Sequence, residues 1–219
     1  MILAFDLDDT LYPEQSFVLS GFQHVAKFLS LSYNIPEGFL RLDFINEFYR
    51  SGRGKIFDSV LKSHGIWTKS LLEECVHKYQ NHLPDICLYP GAKSVLAANN
   101  SVSKYLVTDG NPDTQLNKTK ALGIREFFIE VIPTWSFGRS FAKPSLKVFD
   151  KILEKENASF EKLIYIGDDP SKDFVGLNSA GAITIRVLSG RFSGVLAESN
   201  FDAKFTIPDI SHFELGQYL

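Results

Sequence analysis

The chain opens with MILAFDLDDTLY, residues 1–12, in which a short apolar run leads directly into acidic residues. The run from Ile2 to Phe5 is typical of a strand that is buried on both faces. Three carboxylates then follow within four residues, at Asp6, Asp8 and Asp9. Because like charges at this spacing repel one another, the stretch predicts that a positively charged partner lies among them.

The composition is that of an ordinary globular protein. The chain has 219 residues, of which 44% are hydrophobic and 22% charged, enough for one sizeable core or for a core with a small inserted domain. Its net charge of −3 comes without a long basic patch, so we expect no nucleic-acid partner. No apolar run reaches the roughly 18 residues of a membrane span, so we also expect no membrane partner.

Cysteine usage and the amino terminus bear on the cellular compartment. Cys75 and Cys87 form neither a disulfide framework nor a metal-ligand cluster. Met1 is followed by a strand-like segment instead of the basic and apolar regions of a signal peptide. We therefore expect two reduced cysteines that serve in packing, and a cytoplasmic protein.

The order of the predicted elements indicates an α/β fold. Residues of roughly 16–83 carry helical patterns alone, with Val18, Phe22 and Val25 on one helical face. From Pro84 onward, strands and helices alternate, which predicts a Rossmann-like parallel sheet flanked by helices. We expect an α/β core domain at residues 1–12 and 86–219, with a small helical-bundle cap inserted at residues 13–85.

Charged and hydroxyl side chains follow several of the predicted strands at the point where each strand ends. Because the carboxyl ends of parallel strands face one crevice, we expect these side chains to converge there. They are Asp6, Asp8 and Asp9 after the first strand, Thr108 and Asp109 after the second, Lys143 before a later helix, and Asp168, Asp169 and Asp173 at the next strand end.

This group of side chains favours a magnesium site that handles a phosphate. Oxygen ligands without an accompanying His or Cys select Mg²⁺, which proteins commonly share with a phosphate group. Thr108 can donate to a phosphate oxygen, with help from the turn that contains Asp109 and Gly110, and Lys143 supplies a positive charge. Each piece alone is ordinary, because a single Asp at a strand end is more often a helix cap or a turn residue. The prediction therefore depends on the ordered set.

That ordered set resembles the haloacid dehalogenase superfamily of phosphohydrolases, in the subgroup whose helical cap is inserted after the first strand. The family motif Asp-x-Asp-x-Thr matches residues 6–10, and its strand-ending Ser or Thr matches Thr108. Its Lys, often followed by Pro, matches Lys143, and its Gly-Asp with further acid matches GDDPSKD at residues 167–173. The resemblance covers the core motifs in order, and the cap only in its placement and helical character.

The resemblance implies a role for each matched residue. Asp6 would attack phosphorus and form an aspartyl-phosphate, while Asp8 would protonate the leaving oxygen and later deprotonate water. Thr108 and Lys143 would hold the phosphoryl oxygens. Thr10 would order the first loop, and Asp9 would have a positional role and help through its backbone amide. Mg²⁺ would be held by Asp6, Asp168 and the backbone carbonyl of Asp8, with Asp173, which could instead orient Lys143, and Asp169 as further candidates.

The function that follows is a Mg²⁺-dependent hydrolase of phosphomonoesters that acts on a small phosphorylated metabolite. Asp8 favours phosphoryl transfer over halide displacement, because family members that displace halide have no leaving alcohol to protonate. A phosphomutase of the same family stays open as an alternative. So do a phospho-accepting signalling domain and an inactive binding protein, although the placement of Asp6 and Asp8 on the first strand counts against the signalling domain. The sequence leaves monomer or dimer undecided.

Two further segments keep more than one interpretation. In the cap, where the resemblance places substrate specificity, Arg50, Arg53 and Lys55 could meet an anionic substrate tail or lie in a solvated turn. The loop at residues 133–142 is aromatic, where family members often carry an acidic, polar loop. Its side chains could line a cleft, form a partner surface or pack beneath the loop; they include Trp135, Phe137 and Arg139.

Overall fold

The opening apolar run forms the central strand of a parallel sheet. The structure is a computed structural model and describes residues 1–98 and 102–218. Strand β1 spans Ile2–Phe5, and all four of its residues are buried. The remaining strands are β2 (Ser103–Thr108), β3 (Glu130–Pro133), β4 (Leu163–Gly167), β5 (Ile183–Val187) and β6 (Phe205–Ile207).

The strand order places β1 beside both β2 and β4. The six strands are parallel and run in the order β3-β2-β1-β4-β5-β6. Ile2 is aligned with Ser103 on one side and with Leu163 on the other. The chain places β2 and β3 on one side of β1, and it then crosses over to place β4, β5 and β6 on the other side. Open α/β sheets bind ligands where the order reverses in this way. The expected Rossmann-like α/β fold is confirmed.

Helices accompany the sheet, and aromatic side chains fill the space between these layers. Phe149 meets the ring of Tyr165 edge-on, with 5.3 Å between the ring centroids. Tyr165 and Phe174 are completely buried in the same apolar cluster, so this face of the sheet is closed to water beneath the strand ends. The helices of this part of the chain are α5 (Ala92–Ala98), α6 (Pro112–Leu122), α7 (Lys147–Glu156) and α8 (Val175–Ala180).

The chain separates into two compact units. One unit comprises Met1–Glu14 with Cys87–Leu219 and contains the sheet, and the other is the helical segment Gln15–Ile86. The bounds expected from the sequence differ from these by one or two residues. That the helical unit acts as a cap stays a prediction.

The helical unit has an aromatic core of its own. Phe22 lies 5.7 Å from Phe44, measured between ring centroids, and both are buried. The hydroxyl of Thr68 accepts a hydrogen bond from the backbone N–H of Leu71 at 3.1 Å, which satisfies a donor at the start of a helix. The four helices are α1 (Glu14–Tyr33), whose first residue belongs to the other unit, α2 (Glu37–Ser51), α3 (Ile56–Ser63) and α4 (Lys69–Asn81).

The polar residues near the end of α2 are exposed, and the two cysteines differ in their burial. Arg50 lies in the last turn of α2, and Arg53 and Lys55 lie between α2 and α3. All three are exposed, and Arg50 pairs with Glu47 three residues earlier, which supports the solvated-turn interpretation. Cys75 is buried in the helical core, as expected. A packing role is wrong for Cys87, whose thiol is exposed.

The length and composition of the helices bear on the expected absence of a membrane partner. Among the residues that the structure describes, no helix combines the length and the apolar character that a membrane crossing requires. The cytoplasmic location stays a prediction.

Candidate active site

Three buried carboxylates converge at the carboxyl ends of β1 and β4. Asp6 follows β1, and its backbone N–H donates to the carbonyl of Ile166 at 2.8 Å, which keeps the two strand ends level. Asp168 follows β4, and Asp173 lies in the turn before α8. Their relative exposures are only 2–3%. One carboxylate oxygen from each of the three lies within 4.8 Å of those of the other two.

A glycine at the end of β4 permits this close approach. A Cβ at Gly167 would lie 2.6 Å from Oδ2 of Asp173, closer than atoms pack. The same Oδ2 accepts a hydrogen bond from the backbone N–H of Asp169 at 2.9 Å. Asp173 is therefore held against the strand end by the turn that carries it.

Lys143 lies among the carboxylates as the sequence predicts. Its Nζ is 2.9 Å from Oδ1 of Asp6 and 2.7 Å from Oδ1 of Asp173. The ammonium also donates to the hydroxyl of Tyr165 at 2.9 Å, and that hydroxyl is 3.2 Å from Asp173. Burial lowers the pKa of Lys143, but the Asp173 and Asp6 charges outweigh it and hold the pKa well above its ordinary value. Lys143 is therefore a charged group.

One ammonium does not neutralise three buried carboxylates. Burial, with the charges of Asp6 and Asp173 adding to it, raises the pKa of Asp168 to about 9. Burial also raises the pKa of Asp6 to about 6, although Lys143 opposes it. Within the described residues, Oδ2 of Asp168 is buried and has no hydrogen-bond partner. An all-oxygen set with a surplus of negative charge fits a hard divalent cation such as Mg²⁺.

Asp8 lies apart from this cluster and has a different lysine. Nζ of Lys118, on α6, is 2.7 Å from Oδ1 and 2.9 Å from Oδ2 of Asp8. The hydroxyl of Tyr12 donates to Oδ1, and Nε2 of Gln115 lies 3.5 Å from Oδ2. Burial raises the pKa of Asp8, but the charge and hydrogen bond of Lys118 and the Tyr12 hydroxyl bring it below its ordinary value. The resting group is a carboxylate.

The loop after β2 contains the other residues expected to bind phosphate. Thr108 ends the strand and is 1% exposed. The carboxylate of Asp109 accepts from the hydroxyl of Thr134 at 2.5 Å and from the backbone N–H of Lys143 at 3.2 Å. Gly110 has a φ of 144°, where a side chain would be strained. The side chain of Asp109 therefore connects the loop after β2 with the loop that carries Lys143.

Asp9 supports the first loop. Its φ of 54° lies in the left-handed region, and its Oδ1 accepts from the backbone N–H of Glu14 at 2.9 Å. Its carbonyl accepts from the hydroxyl of Ser189 at 2.8 Å, and a Cβ at Gly190 would collide with its carboxylate. These contacts use the carboxylate and the carbonyl of Asp9, and the role expected for its backbone amide stays a prediction. Thr10, which is expected to order the first loop, places its hydroxyl 3.5 Å from Oδ1 of Asp168.

The carboxylate of Asp169 accepts hydrogen bonds from within its own turn. Its Oδ1 accepts from the backbone N–H of Ser171 at 3.0 Å and from the Ser171 hydroxyl at 2.7 Å. Its Oδ2 lies 3.8 Å from Nζ of Lys172. In the described part of the chain, the group of carboxylates able to share a cation is Asp6, Asp168 and Asp173, without Asp169.

Sequence reasoning missed several residues that shape this site. Tyr165 reads as an ordinary core residue of a strand, and Lys118 as an ordinary surface lysine of a helix. One available signal was that Gln115 and Lys118 are three residues apart and so share a helical face. The sequence does not reveal that this face is buried, or which strand end it meets.

The aromatic loop packs largely on itself. The guanidinium of Arg139 lies 3.3 Å from the centre of the Trp135 ring, and the rings of Phe137 and Phe141 are 5.4 Å apart. This supports packing among the three interpretations of residues 133–142. Phe137 is 46% exposed, so the partner-surface interpretation stays open.

Comparison with known proteins gives relatives for both the sequence and the fold. The glyceraldehyde 3-phosphate phosphatase of Methanocaldococcus jannaschii is 30% identical over 197 residues, which cover 87% of this chain and 86% of that protein. The fold is similar to that of the 2-haloacid dehalogenase of Pseudomonas syringae pv. Tomato DC3000, with a TM-score of 0.67 and 18% identity over 100% of this chain and 98% of that one. It is also similar to that of the HAD-hydrolase YfnB of Bacillus subtilis bound to magnesium, with a TM-score of 0.66 and 20% identity over 95% of this chain and 94% of that one.

A family model confirms the family expected from the ordered motifs. The model described as haloacid dehalogenase-like hydrolase matches residues 3–187, which include every strand end described above except that of β6. The expected class of enzyme, a hydrolase of phosphoric monoesters, agrees with the phosphatase name of the sequence relative. This chain belongs to the haloacid dehalogenase-like hydrolase family.

Proposed function

We propose that this protein is a Mg²⁺-dependent phosphomonoester hydrolase that acts on a small phosphorylated metabolite through an aspartyl-phosphate on Asp6. The observation that carries the proposal is the group of three buried carboxylates with Lys143 in contact with two of them. Such a group favours binding of a cation, and it lies where an open parallel sheet binds its ligand.

The metal belongs to the carboxylate cluster. Asp6, Asp168 and Asp173 are the residues that would hold it, together with the backbone carbonyl of Asp8 and with Asp169 as a more distant candidate. When bound, Mg²⁺ supplies the positive charge that allows a carboxylate to approach an anionic phosphoryl group.

The first step transfers the phosphoryl group to the protein. A carboxylate oxygen of Asp6 forms a bond to phosphorus, while the bond from phosphorus to the leaving oxygen breaks. Thr108 and Lys143 hold the phosphoryl oxygens, where added negative charge strengthens their contacts. Asp8 gives a proton to the leaving oxygen. Asp8 is ionised at rest, and the arrival of a phosphate anion beside it favours its protonation, because like charges raise the pKa of a carboxyl group.

The second step returns the enzyme to its resting state. Asp8, now a carboxylate, accepts a proton from a water molecule as the water oxygen bonds to phosphorus. The bond between phosphorus and Asp6 breaks, inorganic phosphate leaves, and Asp8 releases the accepted proton to solvent. Lys143 again pairs with the released Asp6 carboxylate.

Other activities of the same fold are separated by their products. Asp8 favours phosphoryl transfer over halide displacement, which needs no proton donor for an alcohol. A phosphomutase would return the phosphoryl group to substrate and depend on an activating bisphosphate. A phospho-accepting signalling domain would hold the phosphoryl group on Asp6 without turnover. Selection of the leaving group by the helical segment stays a prediction.

The test is a screen of phosphorylated metabolites that measures released phosphate. Glyceraldehyde 3-phosphate comes first, because it is the substrate in the name of the relative from Methanocaldococcus jannaschii. We expect release with Mg²⁺, none after chelation, and no requirement for a bisphosphate. We expect Asp6→Asn to show no turnover, because an amide does not attack phosphorus. Normal phosphate release by Asp6→Asn would rule out the mechanism.

A further inference from the structure

Lys118 is a buried cation that the mechanism described above does not use. Its side chain is 3% exposed, and its ammonium contacts both carboxylate oxygens of Asp8. Burial of a lysine is costly unless its charge is paired, so this contact has to be maintained in the folded protein. Asp8 itself is on a loop and retains 19% side-chain exposure.

Two neutral side chains, those of Tyr12 and Gln115, also lie beside the carboxylate of Asp8. Tyr12, which is fully buried, donates its hydroxyl to Oδ1. The amide of Gln115 lies between Oδ2 of Asp8, at 3.5 Å, and the backbone carbonyl of Asp109, at 3.0 Å. Gln115 and Lys118 both belong to α6, so the helix that follows β2 fixes a residue that follows β1.

Two of these contacts restrict the direction in which Asp8 can point. A carboxylate has about four lone-pair positions on its two oxygens. Lys118 bridges the oxygens and Tyr12 takes a further position on Oδ1, so rotation of the carboxylate breaks at least one strong contact. A carboxylate without them could adopt other rotamers.

We propose that Lys118, assisted by Tyr12, is a positioning residue that directs the carboxyl group of Asp8 toward the leaving oxygen of the substrate. The inference rests on the proposed function, in which Asp8 delivers the proton. A general acid has to lie within hydrogen-bond reach of the atom that it protonates. A misplacement of about 1 Å is sufficient to slow a reaction roughly 100-fold.

This role predicts a dependence on the leaving group that a purely structural role does not produce. An alkyl ester leaves as a strongly basic alkoxide and needs the proton, whereas p-nitrophenolate leaves readily without one. The ratio kcat/KM reports the steps up to departure of the leaving group. Loss of Lys118 should therefore slow alkyl phosphates far more than p-nitrophenyl phosphate.

The experiment compares Lys118→Met with wild type on p-nitrophenyl phosphate and on glycerol 3-phosphate or the best alkyl ester of the screen. We expect kcat/KM to fall about 10- to 100-fold on the alkyl ester and less than about threefold on the aryl ester, mostly through kcat. Lys118→Arg should restore part of the loss, because its guanidinium can bridge the same two oxygens. Lys120→Met, at an exposed position of the same helix, is the matched control and should change neither ratio.

Equal losses on the two esters, or no loss on either, would overturn the inference. Melting curves with Mg²⁺ accompany each variant, and if Lys118→Met does not fold, Tyr12→Phe replaces it in the same comparison. We expect Tyr12→Phe to show a smaller loss with the same selectivity for the alkyl ester, and an equal loss on both esters counts against the inference. Wild type without activity on any ester would instead refute the proposed function.

Discussion

Asp6 and Asp8 are two residues apart, yet they occupy different environments. Asp6 shares Lys143 with Asp173, and the three side chains are between 0% and 4% exposed. Asp8 pairs with Lys118, and its side chain is 19% exposed. Burial raises the pKa of Asp6 above its ordinary value, whereas the pKa of Asp8 lies below its own because the charge of Lys118 outweighs burial. Two aspartates at the end of one strand therefore differ in exposure, in lysine partner and in the direction of their pKa shift.

The geometry of the first loop produces this difference. The backbone N–H of Leu11 donates to the carbonyl of Leu7 at 3.0 Å, so the chain turns immediately after Asp6. Asp6 stays beside β4 and its acidic residues, while Asp8 is carried toward α6 and Lys118. The proposed division between nucleophile and proton carrier therefore depends on the neighbouring elements more than on the Asp-x-Asp spacing. Substitutions around Asp6 and substitutions around Asp8 should therefore have separable effects on stability and on turnover.

The largest effect is expected from Lys143→Met. The substitution keeps the length of the side chain but removes the only charge between Asp6 and Asp173 that the described residues supply at hydrogen-bond distance. Breaking a buried ion pair by removing one partner costs about 3–5 kcal/mol. We expect the free energy of unfolding, measured by urea titration in the presence of a chelator, to fall by that amount, and turnover to disappear.

The control for Lys143→Met is again Lys120→Met, which removes a lysine from the protein surface. Surface substitutions of this kind change the free energy of unfolding by less than about 0.5 kcal/mol. A free energy of unfolding for Lys143→Met equal to that of the control would show that the ion pairs of the cluster contribute no stability.

Asp8→Asn should have the next largest effect, mainly on turnover, and it also lowers the free energy of unfolding because it removes the carboxylate that pairs with buried Lys118. Removal of a general acid and base slows a reaction by about 10²–10⁴-fold. Because the three carboxylates of the cluster are unchanged, Mg²⁺ should still stabilise the variant against heat, as binding to the folded state requires. The measurements are kcat on an alkyl phosphate and the shift of Tm with Mg²⁺. Loss of the Mg²⁺-dependent shift would place the Asp8 carboxylate with the metal ligands instead.

Asp9→Asn should have the smallest effect, although it removes a charge next to Asp8. Asparagine tolerates the φ of 54° at this position and retains an oxygen to accept from the N–H of Glu14. We expect turnover within about threefold of wild type and a change of about 1 kcal/mol or less in the free energy of unfolding. A loss of turnover comparable to that of Asp8→Asn would give Asp9 a direct part in the reaction.

Much of the fold was predictable because local patterns determined it. The apolar run from Ile2 to Phe5, the helical face of Val18 and Phe22, and the alternation of strands with helices each indicate an element from neighbouring residues. The packing role expected of Cys87 was wrong, because exposure of a single apolar residue depends on what the rest of the chain covers.

By itself, the sequence determined the strand ends and the chemistry that they present. Parallel strands bring their carboxyl ends together, so the order of Asp6, Thr108, Lys143 and Asp168 in the chain was sufficient to predict their convergence. Only the tertiary structure decided which partner each charge receives. Lys118 and Asp8 are 110 residues apart and meet through the packing of α6 beside the first loop. Pairing at such a separation depends on how elements pack in three dimensions, which periodicity and spacing along the chain do not encode.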